Sequence, residues 1–289
     1  MHAGAGGWAR RLLVVLVSVF VPVVAASSSG ASGVAPAPPA ASAAAQAPGG
    51  LLPLAWTPDV AAARATFERA TGAPLRAGFR VEPTVFPRYY ALRPDAPGRP
   101  SAYFRDDMRW TANVRSAGWS VGGDAPPGPE DLQRWQREQL RAVPLERLVK
   151  VRRKTPFVAV IWSAPDCPFC RRLERSLEET GASVYLAPVG LAEDGFARSA
   201  QVYCAADPGA AWRAAMGEAA ATGSAAASRP GCAYPRAMMT DIGFFLGRGR
   251  LATPIVVFAD GSSVTGWDGE RAPARLKQVL AQKLYFPER

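Results

Sequence analysis

The sequence predicts a mixed α+β protein, with a small N-terminal α+β unit and a larger C-terminal α+β domain. The segment "PFVAVIW" is a strand-length apolar run typical of a strand buried on both faces, and a Cys-X-X-Cys motif and a helical pattern follow it directly. Upstream, short apolar segments alternate with Pro, Gly and Asp, as in short strands joined by turns. A Pro- and Gly-rich stretch between the two regions predicts a linker.

The first 26 residues have the three parts of a secretory signal peptide. Arg10 and Arg11 form a basic region, an apolar run covers 12–24, and small residues around Ala25 offer a cleavage site. A transmembrane span needs about 20 apolar residues, and this run is shorter. We therefore predict a cleaved signal over 1–26, with a retained anchor as the alternative.

Residues 27–56 and 57–123 differ sharply in composition. The first range contains little but Ala, Pro, Ser and Gly, which predicts a disordered tether. The second begins with "TPDVAAARATFERATG", a predicted helix with Thr57 as N-cap, Pro58 at the first helical position and Gly72 at its end. The segments "GFRVEPTVF", "YYALRP", "SAYFRDD" and "RWTANVRS" then predict short strands. So small a unit has little core of its own, and we expect it to gain stability from a partner surface.

Residues 124–154 are predicted to form a linker and a connecting helix. "EDLQRWQREQLRAV" carries Leu132, Trp135 and Leu140 at roughly helical spacing before Pro144 interrupts the pattern. The alternative is that this helix is the first helix of the following domain.

Residues 155–289 are predicted to form the larger domain. The strand "PFVAVIW" leads to a helix that ends at Gly181, and "ASVYLAPV" predicts a second strand. An Ala-rich helical stretch follows from Asp194 to about Glu218, then a hairpin, "PIVVFADGSSVTGW", with its turn at Asp260-Gly261, and a closing amphipathic helix, "APARLKQVLAQKL". Strand, helix, strand, helices, hairpin and helix, in this order, indicate a thioredoxin-like domain with a helical insertion.

Composition excludes several classes of function. The formal net charge of +10 admits a nucleic-acid surface, but the one dense basic cluster, "ERLVKVRRK", has no interleaved aromatic residues, so we predict no nucleic-acid partner. The single histidine, His2, lies in the predicted signal peptide. The mature chain therefore cannot build Ser-His-Asp or Cys-His catalysis, or a metal site with histidine ligands.

The four cysteines form a close pair, Cys167 and Cys170, and a distant pair, Cys204 and Cys232. The close pair is compatible with a zinc clip, a structural disulfide or a redox-active dithiol. A ribbon-type zinc site needs two closely spaced pairs, which this chain does not have, so we predict no metal and no other cofactor. A structural bridge across so short a loop would remove little chain entropy.

The redox hypothesis is supported by the position of the close pair. Pro168 suits the first position of a helix, which places Cys167 at the helix N-terminus, where unpaired N–H groups and the helix dipole stabilise a thiolate. We expect the pKa of Cys167 to fall below about 8.5. Cys170 lies on the same helix face, about 5–6 Å away, within disulfide reach. Phe169 cannot add the positive charge of a histidine at that position, so we expect a milder oxidant than the strongest exported disulfide donors.

The distant pair differs from the close pair because it would close a long loop. Bridging the long loop between Cys204 and Cys232 would stabilise the fold by roughly 3–4 kcal/mol in the entropic model. We predict a structural disulfide, with a second redox couple as the alternative.

With the dithiol on this pattern, the chain resembles the exported DsbC/DsbG disulfide isomerase family over 155–284. "DCPFC" is similar to the active-site motif, "VYLAPVGL" to the strand after the first helix, "VYCAADPGAAW" to the helix with the first structural cysteine, and "ATPIVVFADGSSVTGW" to the cis-proline strand and hairpin. Two departures stand out. This chain has Ala252 where the family usually has Gly, and its Ala-rich stretch before Cys232 is longer.

The resemblance implies roles for further residues. Pro254 is expected to be cis and to lie beside Cys167, and the backbone of Thr253 is expected to pair with an extended substrate segment. Upstream, 57–123 and the following helix match the family's small α+β (cystatin-like) dimerisation domain and linker helix in length and order, which implies a homodimer.

We therefore expect a periplasmic thiol:disulfide isomerase that acts on misfolded exported proteins with wrong disulfides. The resemblance also implies a membrane electron donor of the DsbD type. One alternative is a reductase of sulfenylated cysteines, as for DsbG-like relatives. Another is a chaperone or assembly factor that serves a secretion or conjugation apparatus.

Overall fold

The computed structural model describes residues 56–96, 98–114, 118–121, 128–217 and 228–286. The predicted signal peptide lies outside these residues, as do almost all of the predicted tether, most of the Pro- and Gly-rich linker and the Ala-rich segment before Cys232. Among the helices that are described, none combines the length and the apolar character needed to cross a bilayer.

A five-stranded antiparallel meander forms the N-terminal part, and each strand pairs with the next one along the chain. One helix precedes the sheet and packs on it through Ala63 and Phe67. The elements are α1 (Val60–Thr71), β1 (Phe79–Pro83), β2 (Tyr89–Pro94), β3 (Ala102–Arg105), β4 (Trp110–Asn113) and β5 (Gly118–Val121).

Helix α1 begins later than predicted. Its N-cap is Asp59, whose carboxylate accepts a hydrogen bond from the Ala62 N–H at 2.9 Å. The prediction of Thr57 as N-cap was wrong, because the Asp59 side chain reaches the first free N–H groups and Pro58 precedes the helix. The predicted end at Gly72 is confirmed, and this glycine has a φ of 68°.

A second five-stranded sheet, in the order β10-β9-β7-β8-β6, forms the C-terminal part. Its central strand, β7 (Phe157–Ser163), is parallel to β8 (Ser183–Pro188) and antiparallel to β9 (Ile255–Phe258). Every residue of β7 is buried, which confirms the prediction of a strand covered on both faces. The predicted hairpin is formed by β9 and β10 (Ser263–Thr265). The edge strand β6 (Val149–Val151) was not predicted and lies within the basic cluster.

Helices cover this sheet, and two of them occupy the helical stretch predicted from Asp194. They are α2 (Pro129–Ala142), a 3₁₀ turn (Leu145–Arg147), α3 (Pro168–Thr180), α4 (Glu193–Cys204), α5 (Pro208–Met216), α6 (Arg236–Leu246) and α7 (Arg271–Ala281). The helical stretch predicted from Asp194 to about Glu218 consists of two helices, because α4 ends at Cys204. Asp207 then starts a new helix by accepting a hydrogen bond from the Ala210 N–H at 2.9 Å.

Helix α6 was not predicted, and it joins the two sheets. Its residues from Met238 to Leu246 are all buried. On one side it lies against β7, where Trp162 Nε1 donates to the carbonyl of Met239 at 2.8 Å. A Cβ on Gly243 would fall 2.1 Å from the Trp162 ring, so this close approach requires glycine.

On its other side, α6 inserts Phe245 into an aromatic cluster contributed by the N-terminal sheet and α2. Ring centroids lie between 4.2 and 5.7 Å from that of Phe245. The surrounding rings are those of Phe86, Tyr89, Tyr103, Trp110 and Trp135. The described residues of 57–123 thus share one hydrophobic core with the C-terminal part.

A buried polar group ties the same surfaces together. Arg93 on β2 is 5% exposed and contacts Asp241 on α6 at 2.5 Å and Glu82 on β1 at 2.7 Å. The hydroxyl of Tyr103 on β3 donates to Asp241 at 2.8 Å. Burial raises the pKa of Asp241 to about 6, although the charge of Arg93 opposes that change.

Candidate functional site

Strand β7 delivers the chain to the start of α3, where the first cysteine lies. After Ser163 the chain makes a short turn, closed by a hydrogen bond from the Cys167 N–H to the Ala164 carbonyl at 3.2 Å. Cys167 has extended backbone and is the N-cap of α3, with Pro168 as the first helical residue. The backbone N–H groups of Phe169 and Cys170, at the start of the helix, help to lower the pKa of Cys167.

Both thiols of the Cys-X-X-Cys motif are free and buried. The pKa of Cys167 is lowered to about 5, above all by a hydrogen bond from the Cys170 thiol. Burial opposes this shift, and the Thr253 side chain and the two backbone N–H groups reinforce it. The helix N–H groups, predicted from the sequence to stabilise the thiolate, lower this pKa less than the neighbouring thiol does.

Cys170 is in the opposite situation. Its pKa is raised, first because burial penalises the thiolate and second because its proton is held by Cys167. The Ser163 side chain and the Ala164 N–H, whose nitrogen is 3.5 Å from the sulfur, act in the other direction. Near neutral pH, Cys167 is therefore a thiolate and Cys170 a protonated thiol.

Thr253 and Pro254 lie against the first cysteine. The Cys167 sulfur is 3.8 Å from the Thr253 carbonyl oxygen, and the Thr253-Pro254 peptide bond is cis. The Pro254 carbonyl accepts a hydrogen bond from the Gly266 N–H at 2.7 Å, which anchors this segment to the end of the hairpin.

The remaining predicted residues occupy two further places. Phe169 projects outward with 44% of its surface exposed, and the guanidinium of Arg172 lies 5.4 Å from its ring centroid. Cys204 and Cys232 form a disulfide with a Cα–Cα distance of 5.6 Å. This bridge joins the end of α4 to the loop before α6 and does not involve the dithiol.

Asp166, the residue before Cys167, was not predicted as part of the site. Its carboxylate accepts hydrogen bonds from the N–H groups of Leu191 at 3.0 Å and Ala192 at 3.1 Å. It also packs against Gly195, where a Cβ would fall 2.1 Å from Asp166 Oδ2. No local pattern announces a contact between residues 25 positions apart.

A stabilised thiolate beside a buried thiol, at the start of a helix that follows a central strand, is typical of thiol:disulfide oxidoreductases. No protein-family model matches the chain. Over 147 residues the chain is 28% identical to the probable thiol:disulfide interchange protein DsbC of Bordetella pertussis. That match covers 47% of this chain and 49% of the relative, so the chain spans about half the length of the curated protein it matches.

Two solved structures are also similar to parts of the chain. A disulfide interchange protein from Neisseria gonorrhoeae is 26% identical, with a TM-score of 0.40, over 50% of this chain and 100% of that one. Proteus mirabilis ScsC in a compact conformation is 19% identical, with a TM-score of 0.36, over 54% of this chain and 84% of that one. The curated relative confirms the predicted resemblance to DsbC-type interchange proteins and supports a thiol:disulfide oxidoreductase.

Proposed function

We propose that this chain is an exported thiol:disulfide isomerase and reductase that acts on wrongly bridged proteins through Cys167 and Cys170. The observation that carries the proposal is the asymmetry of the dithiol. The pKa of Cys167 is lowered to about 5, while Cys170 beside it is held protonated. Such a pair supplies a nucleophile at neutral pH together with a second thiol in reserve.

The reaction begins when the Cys167 thiolate attacks one sulfur of a substrate disulfide. The Cys167–substrate disulfide forms, the substrate S–S bond breaks, and the other substrate sulfur leaves as a thiolate. In isomerisation, a further substrate thiolate attacks the bridged substrate sulfur and releases Cys167 as a thiolate, with no net oxidation. In reduction, Cys170 loses its proton and attacks the Cys167 sulfur. The substrate is released with its disulfide reduced by two electrons, and Cys167 and Cys170 are oxidised to a disulfide.

The reductive branch requires a thiol donor to return the dithiol to its reduced form. By resemblance to the DsbC/DsbG family, we propose a membrane donor of the DsbD type.

The raised pKa of Cys170 affects the lifetime of the mixed disulfide. Because a protonated thiol attacks slowly, the mixed disulfide lasts longer, which favours rearrangement by a substrate thiol.

Thr253 and Pro254 are proposed to bind the substrate. The Thr253 carbonyl lies 3.8 Å from the attacking sulfur, so an extended substrate segment that pairs with this backbone would bring its own sulfur to Cys167. Cys204 and Cys232 are proposed to be purely structural.

The other expectations from the resemblance are also proposals. They are a periplasmic location after signal cleavage, and a homodimer formed through 57–123 with 124–154 as the connection to 155–289. Sedimentation of the mature protein tests the dimer, and the N-terminal residue of the secreted form tests the cleavage.

The proposed activity is tested by refolding a scrambled multi-disulfide protein with catalytic amounts of the reduced chain. Cys167→Ala is expected to abolish the recovery of native disulfides. Cys170→Ala is expected to retain part of it and to accumulate a covalent complex with the substrate. The matched control is the double variant Cys204→Ala/Cys232→Ala, which removes the two sulfurs of the disulfide that lies away from the dithiol.

Recovery that persists in Cys167→Ala would overturn the proposal. If Cys167→Ala still binds unfolded substrate but no longer restores native disulfides, and the unmodified chain acts in the same way, the chain is a chaperone or assembly factor. Protection of single-cysteine proteins from oxidation, without recovery of scrambled ones, would instead show the reductase of sulfenylated cysteines.

A further inference from the structure

Few large apolar side chains of the described residues face solvent. Within the described residues they are Val60 at 38%, Phe169 at 44% and Leu191 at 49% exposure. Val60 lies on α1, but the other two are connected to the redox motif. Phe169 follows Cys167 by two residues, and the Leu191 backbone is bound to Asp166, the residue before Cys167.

The backbone of Leu191 is held by a long-range contact with Asp166. Helix α4 has Ala192 as its N-cap and lacks a side-chain cap of its own. The Asp166 carboxylate instead accepts hydrogen bonds from the N–H groups of Leu191 and Ala192, the two residues that precede the first helical residue. Gly195 allows the carboxylate to enter the first turn of α4. The loop before α4 is thus fastened directly to the redox motif.

From this geometry we propose that Asp166 is a positioning residue that holds Leu191 beside Cys167, where Leu191 and Phe169 contact the client polypeptide. The occupant is an extended client segment with an apolar side chain next to its cysteine. Arg171 and Arg172 are exposed on the same turn of α3, so carboxylates further along the client complement the surface. This inference rests on the proposed function, because it concerns how the same nucleophile selects its substrates.

The test uses pairs of short cysteine peptides that differ only in Leu or Ser beside the cysteine. Each is supplied as a mixed disulfide with thionitrobenzoate. Attack by the Cys167 thiolate on the peptide sulfur forms the peptide–Cys167 disulfide and releases coloured thionitrobenzoate, so each rate constant is read directly. The quantity compared is the ratio of the Leu rate constant to the Ser rate constant for one protein.

We expect the unmodified chain to favour the Leu peptide by about tenfold, the factor that corresponds to roughly 1.4 kcal/mol. Leu191→Ser and Asp166→Ala are expected to bring the ratio close to one. Asp166→Asn keeps one acceptor oxygen and is expected to retain part of the preference. Val60→Ser, which removes a similarly exposed apolar side chain from α1, is the matched control and is expected to leave the ratio unchanged.

The two proposals fail in different ways. Release of thionitrobenzoate at an unchanged rate by Cys167→Ala would contradict the proposed function. A reactive chain with no preference, or a preference that survives Leu191→Ser, would contradict the present inference alone. If Asp166→Ala fails to fold, as shown by loss of its thermal transition, Leu191→Ser still decides, since its side chain is exposed and leaves the fold intact.

Discussion

Cys167 and Cys170 lie one helical turn apart, yet their sulfurs are in opposite electrostatic conditions. The other thiol, the Thr253 side chain and two backbone N–H groups lower the pKa of Cys167. Cys170 lies deeper, where loss of hydration opposes its ionisation. The order of attack therefore follows from position, and the activation of the nucleophile does not require a histidine.

This asymmetry predicts the pH dependence of alkylation. The rate of modification of the reduced protein by iodoacetamide should rise with a midpoint near pH 5, because the pKa of Cys167 is lowered to about 5. Above about pH 7 the rate should be flat, since the thiolate is then fully formed. Mass spectrometry at one equivalent of reagent should find the label on Cys167.

The same chain unfolded in urea provides the control, because its thiols should titrate near the usual value of about 8.5. A native midpoint close to the unfolded one would contradict the geometry described for Cys167. Preferential labelling of Cys170 would contradict the assignment of the nucleophile.

At the scale of elements, local patterns predicted β7, α3 and the β9–β10 hairpin, because each has its signal within one short segment. Strand β7 is an unbroken apolar run, and α3 begins at Pro168 and ends before Gly181, which has a φ of 67°. Helix α6 has no such signal. Its residues from Met238 to Leu246 are all buried, so this part of the sequence lacks the polar face that reveals a surface helix. The contact of Asp166 with the loop before α4 is likewise invisible, because tertiary packing alone creates it.

Helix α6 is predicted to be a main source of stability, through Phe245. This side chain is fully buried and contacts five aromatic rings of the N-terminal sheet and α2. Phe245→Ala should lower the free energy of unfolding by about 3–5 kcal/mol, the usual cost of such a truncation. Urea denaturation of the reduced protein measures it.

Phe169→Ala is the matched control, because the same ring is removed from a largely exposed position and little change is expected. Equal costs for the two variants would contradict a core shared between α6 and the N-terminal sheet. A small decrease in the free energy of unfolding for Phe245→Ala, with an unchanged denaturant slope, would also contradict this shared core.

At the scale of the whole molecule, the described part of 57–123 is joined to the redox centre through a continuous series of contacts. The N-terminal sheet packs on α6, α6 packs on β7 through Gly243 and Trp162, and β7 leads to Cys167. Helix α2 adds a further link, because its buried Gln136 donates to the Leu246 carbonyl at 2.9 Å. The small unit thus gains within the same chain the partner surface that its size requires, and a homodimer would need a different face of it.

Substitution of Arg93, which is paired with Asp241 in the core, tests this connection between the N-terminal sheet and α6. Arg93→Met should cost about 3–5 kcal/mol at pH 7, because a buried carboxylate loses its cation. The pKa of Asp241, already raised to about 6 by burial, should rise further in this variant. A group whose folded pKa lies above the unfolded value favours the folded state at low pH and opposes it as the pH rises. The cost of Arg93→Met should therefore shrink when unfolding by urea is measured at pH 5 instead of pH 7.

Two further variants make this result specific. Arg80→Met removes an arginine from the neighbouring strand whose side chain is 46% exposed, and it should change stability little at either pH. The double variant Arg93→Met/Asp241→Leu removes both charges and should recover much of the lost stability, because an apolar pair can replace a buried ion pair. A cost for Arg93→Met that is the same at both pH values, or no larger than that of Arg80→Met, would show that this pair does not join the N-terminal sheet to α6.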